Sequence, residues 1–412
     1  MMKRRLLLKM MKRRRRSLIT RKVKKRGNTI YLPEDLLVEI LSRVPETSLA
    51  RFRSTSKGWN ALIQRDGRLA MKNSLFVMLI YRKLYLVRLN LHGIHDNNGE
   101  KLITQFSLSD HLSTSSLKEV DIRCVFHCDG LLLCTTMNNR LIVWNPCSGE
   151  TSRNIIKPLK HYIGFDIYAL GKSSCNNEYK ILRVIYHLGY GYWPPRLVEY
   201  EIYDFTSNSW RVVGETRDWF IPGPWQDGTC VDGNTYWLTC TYSPTGMRNA
   251  GLHCFDYSTE RSGRVSLPGD PLSYNVLSIS VTREDHKLCL LTSSRDEKVH
   301  EIDVWMATKI KGTGDMSWNK LLTVKRTYSQ QFLAFRSGMS FMVDRQNKVI
   351  VHPTKYKKSS NCLHIVGENY KHIKVDFHVV GSTPFRSTPT LVHIQQGSLG
   401  VATWKSPITK YS

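Results

Sequence analysis

Between residues 31 and 60 the apolar positions fall at helical spacing. Leu36, Ile40 and Val44 recur every fourth residue, and Leu37, Leu41 and Val44 mark an adjoining stripe. The spacing predicts a helix over about Pro33–Arg43 that is apolar around much of its circumference. One face can serve the chain's own core, and the other needs a partner. Pro33 suits a first helical turn, where a missing N–H costs nothing, and Glu34 and Asp35 put negative charge where the helix dipole favours it. Pro45 stops the helix. Thr47 and Ser48 can cap a short second helix carrying Leu49 and Phe52, and Ser54–Ser56 can start a third carrying Trp59, Leu62 and Ile63. Three helices of roughly ten residues each are too few to bury all of this alone.

Residues 64–73, QRDGRLAMKN, read as a basic linker helix, and from Ser74 the period changes. Leu75–Leu91 is rich in Val, Leu, Ile and Tyr and broken only at Arg82-Lys83, which predicts two strands joined by a tight turn. From Ile122 a loose repeat sets in: an apolar strand, a turn, and a second strand ending in a small polar cluster and often a Trp. Its units are Cys128–Thr151, Glu178–Val213, Val231–Pro268, His286–Val324 and a fifth at Asn347–Val375. Anchors at Trp144, Asp204, Asp256 and Val304 are 60, 52 and 48 residues apart, near the roughly 40 to 50 of a four-stranded propeller blade. The expectation is a mainly β chain with a small α N-terminal domain: a three-helix unit at 31–63, a linker helix at 64–74, and a β-propeller of six to eight blades over 75–408. A stack of β-sandwiches ranks second.

Turn chemistry fits the repeat. Asp129-Gly130 and Asp232-Gly233 are hairpin signals at equivalent places. Asn145-Pro146, Asp204–Asn208 and Asp256–Thr259 can close the next turn through side-chain to backbone hydrogen bonds. Trp144, Trp210, Trp305 and Trp318 recur near strand ends, where they could wedge between neighbouring sheets.

The N-terminal pattern resembles an F-box: Leu32-Pro33, Leu36, Ile40-Leu41-Ser42-Arg43-Val44-Pro45, Leu49, Phe52-Arg53 and Ser56-Lys57 with Trp59-Asn60 all stand in order, and Ser56 replaces the usual plant Cys. The segments FHCDGLLLC, RLIVWNPCSGET, EIYDFTSNSW, VDGNTYWL, FDYSTER and IDVWMATKI, over about Phe126–Trp318, resemble the F-box associated interaction domain, a kelch-like module of plant F-box proteins, and the match fades beyond His352. The resemblance implies a substrate-recognition subunit of an SCF-type cullin-RING ubiquitin ligase. Its apolar helical face would dock on a Skp-type adaptor through Leu32, Pro33, Leu36, Ile40, Leu41, Val44, Pro45, Leu49 and Phe52, supported by Lys57 and Trp59. Its propeller would recruit a target protein for ubiquitination. Nothing in that role needs a catalytic residue, a metal or a cofactor.

Charge alters this picture at one end only. Of 60 Lys and Arg, 14 fall in residues 1–30 with no acid, leaving 46 against 34 acids, a net +12, for the rest. Such a tail repels itself and is expected to be disordered. It would serve as a nuclear-import or polyanion-binding segment, so the expected location is nuclear and/or cytoplasmic. Nucleic-acid binding by this tail is the alternative function, ranked lower because the aromatics are not interleaved with Lys and Arg as stacking platforms usually are. No apolar run approaches the roughly 20 residues a membrane span needs. Ten cysteines without paired spacing, and no N-x-[ST] sequon, lead to the expectation of reduced thiols in an intracellular compartment.

The search for chemistry is mostly negative. Cys124, His127 and Cys128 form a C-x-x-H-C string, but on a strand the two thiols face one side and the imidazole the other, so buried thiols acting as small hydrophobes are expected. Gly171-Lys172-Ser173 lacks the first glycine of a phosphate loop. Asp129, Asp204, Asp232 and Asp256 fall at turns, where hairpin closure requires them. Two stretches, Tyr186–Pro195 and Trp219–Trp225, combine Tyr, Trp, Pro and Gly without strand alternation, and Tyr242–Met247 and Gly312–Trp318 do so more weakly. Rigid aromatics bury much area for little rotamer entropy, so Tyr190, Tyr192, Trp193, Trp219, Phe220 and Trp225 are the expected target-binding side chains.

Overall fold

The structure is a computed structural model that describes residues 33–42, 58–59, 62, 74–80, 82–89, 91, 103–107, 121–138, 140–145, 151–152, 166–188, 195, 197–242, 248–295, 301–309, 315–325, 335–356, 360–368, 372–377 and 390–393. The tail, the linker helix, and most of the second and third expected helices lie outside them; Gly58, Trp59 and Leu62 are helical. The chain divides into two units, Met1–Val44 and Pro45–Ser412.

In the first unit one helix is described, α1 (Glu34–Ser42). The Leu37 amide donates to the Pro33 carbonyl at 3.1 Å, so Pro33 stands just ahead of the helix and accepts its first hydrogen bond. Glu34 and Asp35 occupy the first turn as expected.

The second unit holds six antiparallel sheets among the described residues. The first joins β1 (Ser74–Ile80), β2 (Lys83–Leu89) and β3 (Ile103–Ser107), with the C-terminal β24 (Thr390–His393) paired to β1 on the other side. The second is β4 (Ile122–Cys128), β5 (Leu131–Thr136) and β6 (Leu141–Trp144). The third is β7 (Ile167–Lys172), β8 (Tyr179–His187), β9 (Leu197–Asp204) and β10 (Ser209–Thr216). The fourth sets β11 (Trp219–Phe220) and β12 (Thr229–Val231) along β13 (Asn234–Tyr242), followed by β14 (Arg248–Asp256) and β15 (Arg261–Val265). The fifth is β16 (Tyr274–Val281), β17 (Leu288–Ser294), β18 (Glu301–Lys309) and β19 (Met316–Lys325). The sixth is β20 (Met342–Asp344), β21 (Val349–Tyr356), β22 (Ser360–Gly367) and β23 (His372–Phe377).

The sheets close into a β-propeller because each shares a core with the next. Val77 and Leu84 pack with Leu132 and Trp144 between the first and second sheets. Leu133, Leu182 and Phe255 belong to one cluster spanning the second to fourth. Leu252 joins Leu290, and Leu291 joins Ile350. Phe76 and Met78 join Val351 and Leu363, which returns the ring to its start. Inner strands covered on both faces read as continuous apolar runs, as in β5, where all six residues are buried, whereas β15 at the rim is largely exposed. Burying each large apolar side chain contributes roughly 1.5–3 kcal/mol, so these seams carry most of the stabilisation.

The expected turns are in place. Asp129 and Gly130 take φ 50° and 84°, and Asp232 and Gly233 take φ 51° and 81°, the pair of positive values that a two-residue hairpin needs. Asp204 Oδ1 accepts from the Thr206 amide at 2.7 Å and Asp256 Oδ1 from the Ser258 amide at 2.8 Å, closing the turns into β10 and β15. Arg82, at φ 65°, makes the tight turn between β1 and β2. Trp318 acts as the expected wedge: its Nε1 donates to the Ser266 carbonyl at 2.7 Å, linking the fifth sheet to the fourth.

The expectation of uniformly reduced thiols is corrected at one pair. Cys128, ending β4, and Cys230, in β12, are joined by a disulfide across 102 residues of sequence. The folding of two distant hairpins side by side creates this pair, and no spacing in the sequence reveals it.

Candidate functional site

On α1 two apolar faces have opposite fates. Val38 and Leu41 are 3 % and 2 % exposed, while Leu36 and Ile40, one turn apart, are each 50 % exposed. Positions i and i+4 share a helix face, so Leu36 and Ile40 form a continuous apolar patch facing water. Leu41 had been expected in the adaptor surface; its burial places it in the chain's own packing instead. Pro33 is exposed and Trp59 half-buried. Leu32, Val44, Pro45, Leu49, Phe52 and Lys57 lie outside the described residues.

In the propeller, the strands β4, β7, β12, β16 and β20 all finish at one end of the ring. The Lys172 amide donates to the Gly233 carbonyl at 2.9 Å, His286 Nε2 lies 3.2 Å from the Cys230 carbonyl, and Thr282 pairs with Val343 in a parallel bridge. Asp129 accepts from both Lys172 Nζ and the Tyr179 hydroxyl at 3.0 Å. His127 accepts the Gly130 amide at 3.0 Å on Nε2, and burial, then the neighbouring His286, lowers its pKa to about 3. These groups hold turns together. Among the described residues no cluster of three or more His, Cys, Asp and Glu could hold a metal ion, Cys124, His127 and Cys128 included. Gly171 has a packing role: a Cβ there would sit 1.9 Å from the Tyr257 ring.

Strand alternation puts the connections that leave β5, β8, β10 and β15 at the opposite end of the ring. The described parts of Tyr186–Pro195 and Trp219–Trp225 lie at this end, whereas β18 and β19, which flank Gly312–Trp318, meet at the other, and the structure corrects part of the binding-loop reading. Trp219 and Phe220 are buried, because they form β11 and pair with Thr241 and Cys240 of β13. Trp219 stacks on His253 at 4.2 Å, whose Nδ1 lies 2.9 Å from Thr239 Oγ1 and whose pKa falls to about 4 through burial, with Arg264 adding to it. Trp225 is half-buried, and its Nε1 donates to the Leu277 carbonyl at 3.0 Å, a tether rather than a free binding surface. Tyr186 is buried as well, its hydroxyl donating to the Ile221 carbonyl at 3.0 Å. Tyr190, Tyr192 and Trp193 lie outside the described residues.

What remains exposed at this end is different. Leu272 is 64 % exposed at the tip of a turn that Asp270 locks by accepting the Leu272 amide at 2.9 Å and the Ser273 hydroxyl at 2.7 Å. Among the described residues Met137 is also an exposed apolar side chain there. A lone Leu or Met in a turn carries no sequence signal of its own. No helix of the described residues is long and apolar enough to cross a membrane.

Comparison with known proteins agrees with this geometry. The family model described as the F-box associated beta propeller domain matches residues 75–394, reaching beyond His352, and the F-box domain model matches residues 31–70. An Arabidopsis thaliana protein named for an F-box, At4g10190, is 48 % identical over 382 residues, covering 90 % of this chain and 100 % of that one. The Arabidopsis thaliana F-box protein At5g36730 is 36 % identical, covering 89 % of this chain and 93 % of its own. Among solved structures, TolB from Acinetobacter baumannii aligns with a TM-score of 0.40 at 11 % identity, over 78 % of this chain and 67 % of that one.

Proposed function

Since the chain belongs to the plant F-box proteins that carry an F-box associated beta-propeller domain, we propose that it is the substrate-recognition subunit of an SCF-type cullin-RING ubiquitin ligase. The observation that carries this reading is the Leu36–Ile40 patch, apolar and half exposed, on the helix inside the F-box match. A Skp-type adaptor covers that patch, together with Leu32, Pro33, Val44, Pro45, Leu49 and Phe52. The propeller holds a target protein, with the end that bears Leu272 and Met137 as the recruiting face; Tyr190, Tyr192 and Trp193, expected among the contacts, lie outside the described residues. With the three-stranded β4–β6 sheet taken as a blade, the ring has six blades.

The mechanism is one of proximity. Tethering the target beside a charged ubiquitin carrier raises the effective concentration of its lysines, and this chain makes and breaks no bond itself. The basic tail would serve nuclear import, so the assembly acts in the nucleus and/or the cytoplasm. The test is co-purification with a Skp-type adaptor: Leu36→Asp with Ile40→Asp abolishes capture while the circular dichroism of the β domain stays unchanged. Undiminished capture by that double variant overturns the assignment.

A further inference from the structure

Three histidines stand in a row across the sixth sheet. His352 on β21 lies opposite His364 on β22, their rings stacked at 5.2 Å with 17° between planes. The His364 ring stacks in turn on His372 of β23 at 5.0 Å and 11°, with His364 Nδ1 only 2.7 Å from His372 Nε2. The Cys362 thiol lies 3.3 Å from the other nitrogen of His364, and the Phe335 ring closes the inner end 4.9 Å from His352. The row runs outward from the interior: His352 is fully buried, His364 nearly so, and His372 is at the surface. Among the described residues no side chain bonds to either ring nitrogen of His352, whose polar contact is with the Pro353 backbone.

A buried imidazole with no side-chain partner is costly, and nothing in the function above uses it. Metal ligation does not account for the row, since both nitrogens of His364 are occupied by His372 and Cys362. The surroundings are apolar: the fifth sheet turns Leu291, Ile302, Val304, Leu322 and Val324 to the seam with Ile350 and Val366. Its titratable member is Cys289, held as a neutral thiol by burial. The charged group acting on the outer end is Lys374, which adds to the effect of burial in lowering the His372 pKa.

We propose that the His352–His364–His372 row is a proton-operated clasp on the seam between the fifth and sixth sheets, closed while the rings are neutral and opened by acidification. The first proton goes to His372, where water can solvate it. A second proton, on His352, places a charge inside an apolar seam where burial opposes it most strongly and the cation already on the row adds to the cost. Separating the sheets relieves it. Burial, then His364 and His372, hold His352 down to about 3 from its ordinary 6.5. A base lowered in the closed state binds its proton in the open one, so closure is complete above about pH 6.5 and is lost as pH falls below it. The seam also anchors the connection into the sixth sheet: Ser278 Oγ donates to the Met339 carbonyl at 2.7 Å and the Gly338 amide to the Leu277 carbonyl at 2.8 Å. Opening the clasp therefore loosens the end of the ring where Trp225 is tethered.

The test is amide hydrogen exchange on the full-length chain at pH 7 and pH 5, corrected for the pH dependence of intrinsic exchange. The opening constant of β21–β23 is expected to rise about 25-fold between the two, the ratio that a shift from 6.5 to about 3 produces, and this rise, unlike any at β8 and β9, is the one that depends on His352. His352→Phe keeps the stack and removes the proton site, so its rise should stay below about 3-fold. Proton NMR of the unaltered chain gives a second readout if that variant fails to fold. The proposal is overturned if β21–β23 exchange is the same at both pH values, if His352→Phe keeps the full dependence, or if His352 titrates near pH 6.5 without any change in exchange.

Discussion

The backbone at Gly338 passes so close to Pro224 that a Cβ there would lie 1.5 Å from the Pro224 carbonyl oxygen. Gly338 also takes φ 74°, in the left-handed region, and shares the Leu277 carbonyl as acceptor with Trp225 Nε1. Two connections between sheets are thus clasped over the start of β16. The position requires glycine on conformational and steric grounds together.

Gly338→Ala should therefore destabilise the propeller by about 2–4 kcal/mol, the sum of a left-handed residue and a forced backbone shift. Gly263→Ala is the control, since nothing lies within 4 Å of a Cβ there and its φ is ordinary. Urea unfolding midpoints compare the two. Equal midpoints would show that the clasp yields freely.

Trp219→Ala should act as a core lesion, costing about 3–5 kcal/mol, because its ring is buried against His253 and Tyr200. Trp225→Phe should cost about 1 kcal/mol for the lost bond to Leu277. Thermal unfolding measures both. A Trp219→Ala protein of undiminished stability would restore that residue to the candidate binding surface.

Arg183 is fully buried in β8, paired with Asp166 at 2.5 Å and Glu201 at 3.0 Å. Arg183→Met should destabilise by about 3–5 kcal/mol, because two carboxylates lose their counter-charge inside the third sheet. Adding Asp166→Asn and Glu201→Gln should recover most of that loss. Chemical denaturation of the single and triple variants decides it, and a triple variant no better than the single would show that packing outweighs charge.

On α1 the two faces should separate genetically. Leu36→Ala should weaken adaptor capture with helix stability unchanged, whereas Val38→Ala or Leu41→Ala should cost about 1–3 kcal/mol of folding, since these side chains are buried. Adaptor titration alongside thermal unfolding of each variant separates the effects.

Acid should weaken the whole propeller before carboxylates titrate. Burial holds His127 at about 3 and His253 at about 4, so each is neutral in the folded state and binds its proton on unfolding. Stability from both is complete above about pH 6.5 and falls at up to about 1.4 kcal/mol per pH unit for each below it. Melting temperatures between pH 7 and pH 5 should drop, and His253→Gln should flatten the slope. A slope unchanged by that substitution would remove His253 from the account.

Local rules determined much of this protein before any fold existed. The four-residue spacing of Leu36 and Ile40, the paired Asp-Gly turns, and the repeat of apolar strand, turn and polar cluster fix a helix and a series of antiparallel hairpins, because backbone geometry answers to near neighbours. The match of motifs to the F-box and its propeller was likewise legible at the residue level. The tertiary structure alone decided which apolar faces stay wet, since Leu41 and Leu36 look alike until packing buries one of them. It also decided that Trp219 and Phe220 become a strand, because β13 offers them an edge. Ring closure belongs here too: β24 completes the first sheet from some 300 residues away, pairing Leu391 with Met78. The same holds for the histidine row and the Cys128–Cys230 pair. Each brings together residues whose chemistry depends on distance in space, and chain spacing does not encode that distance.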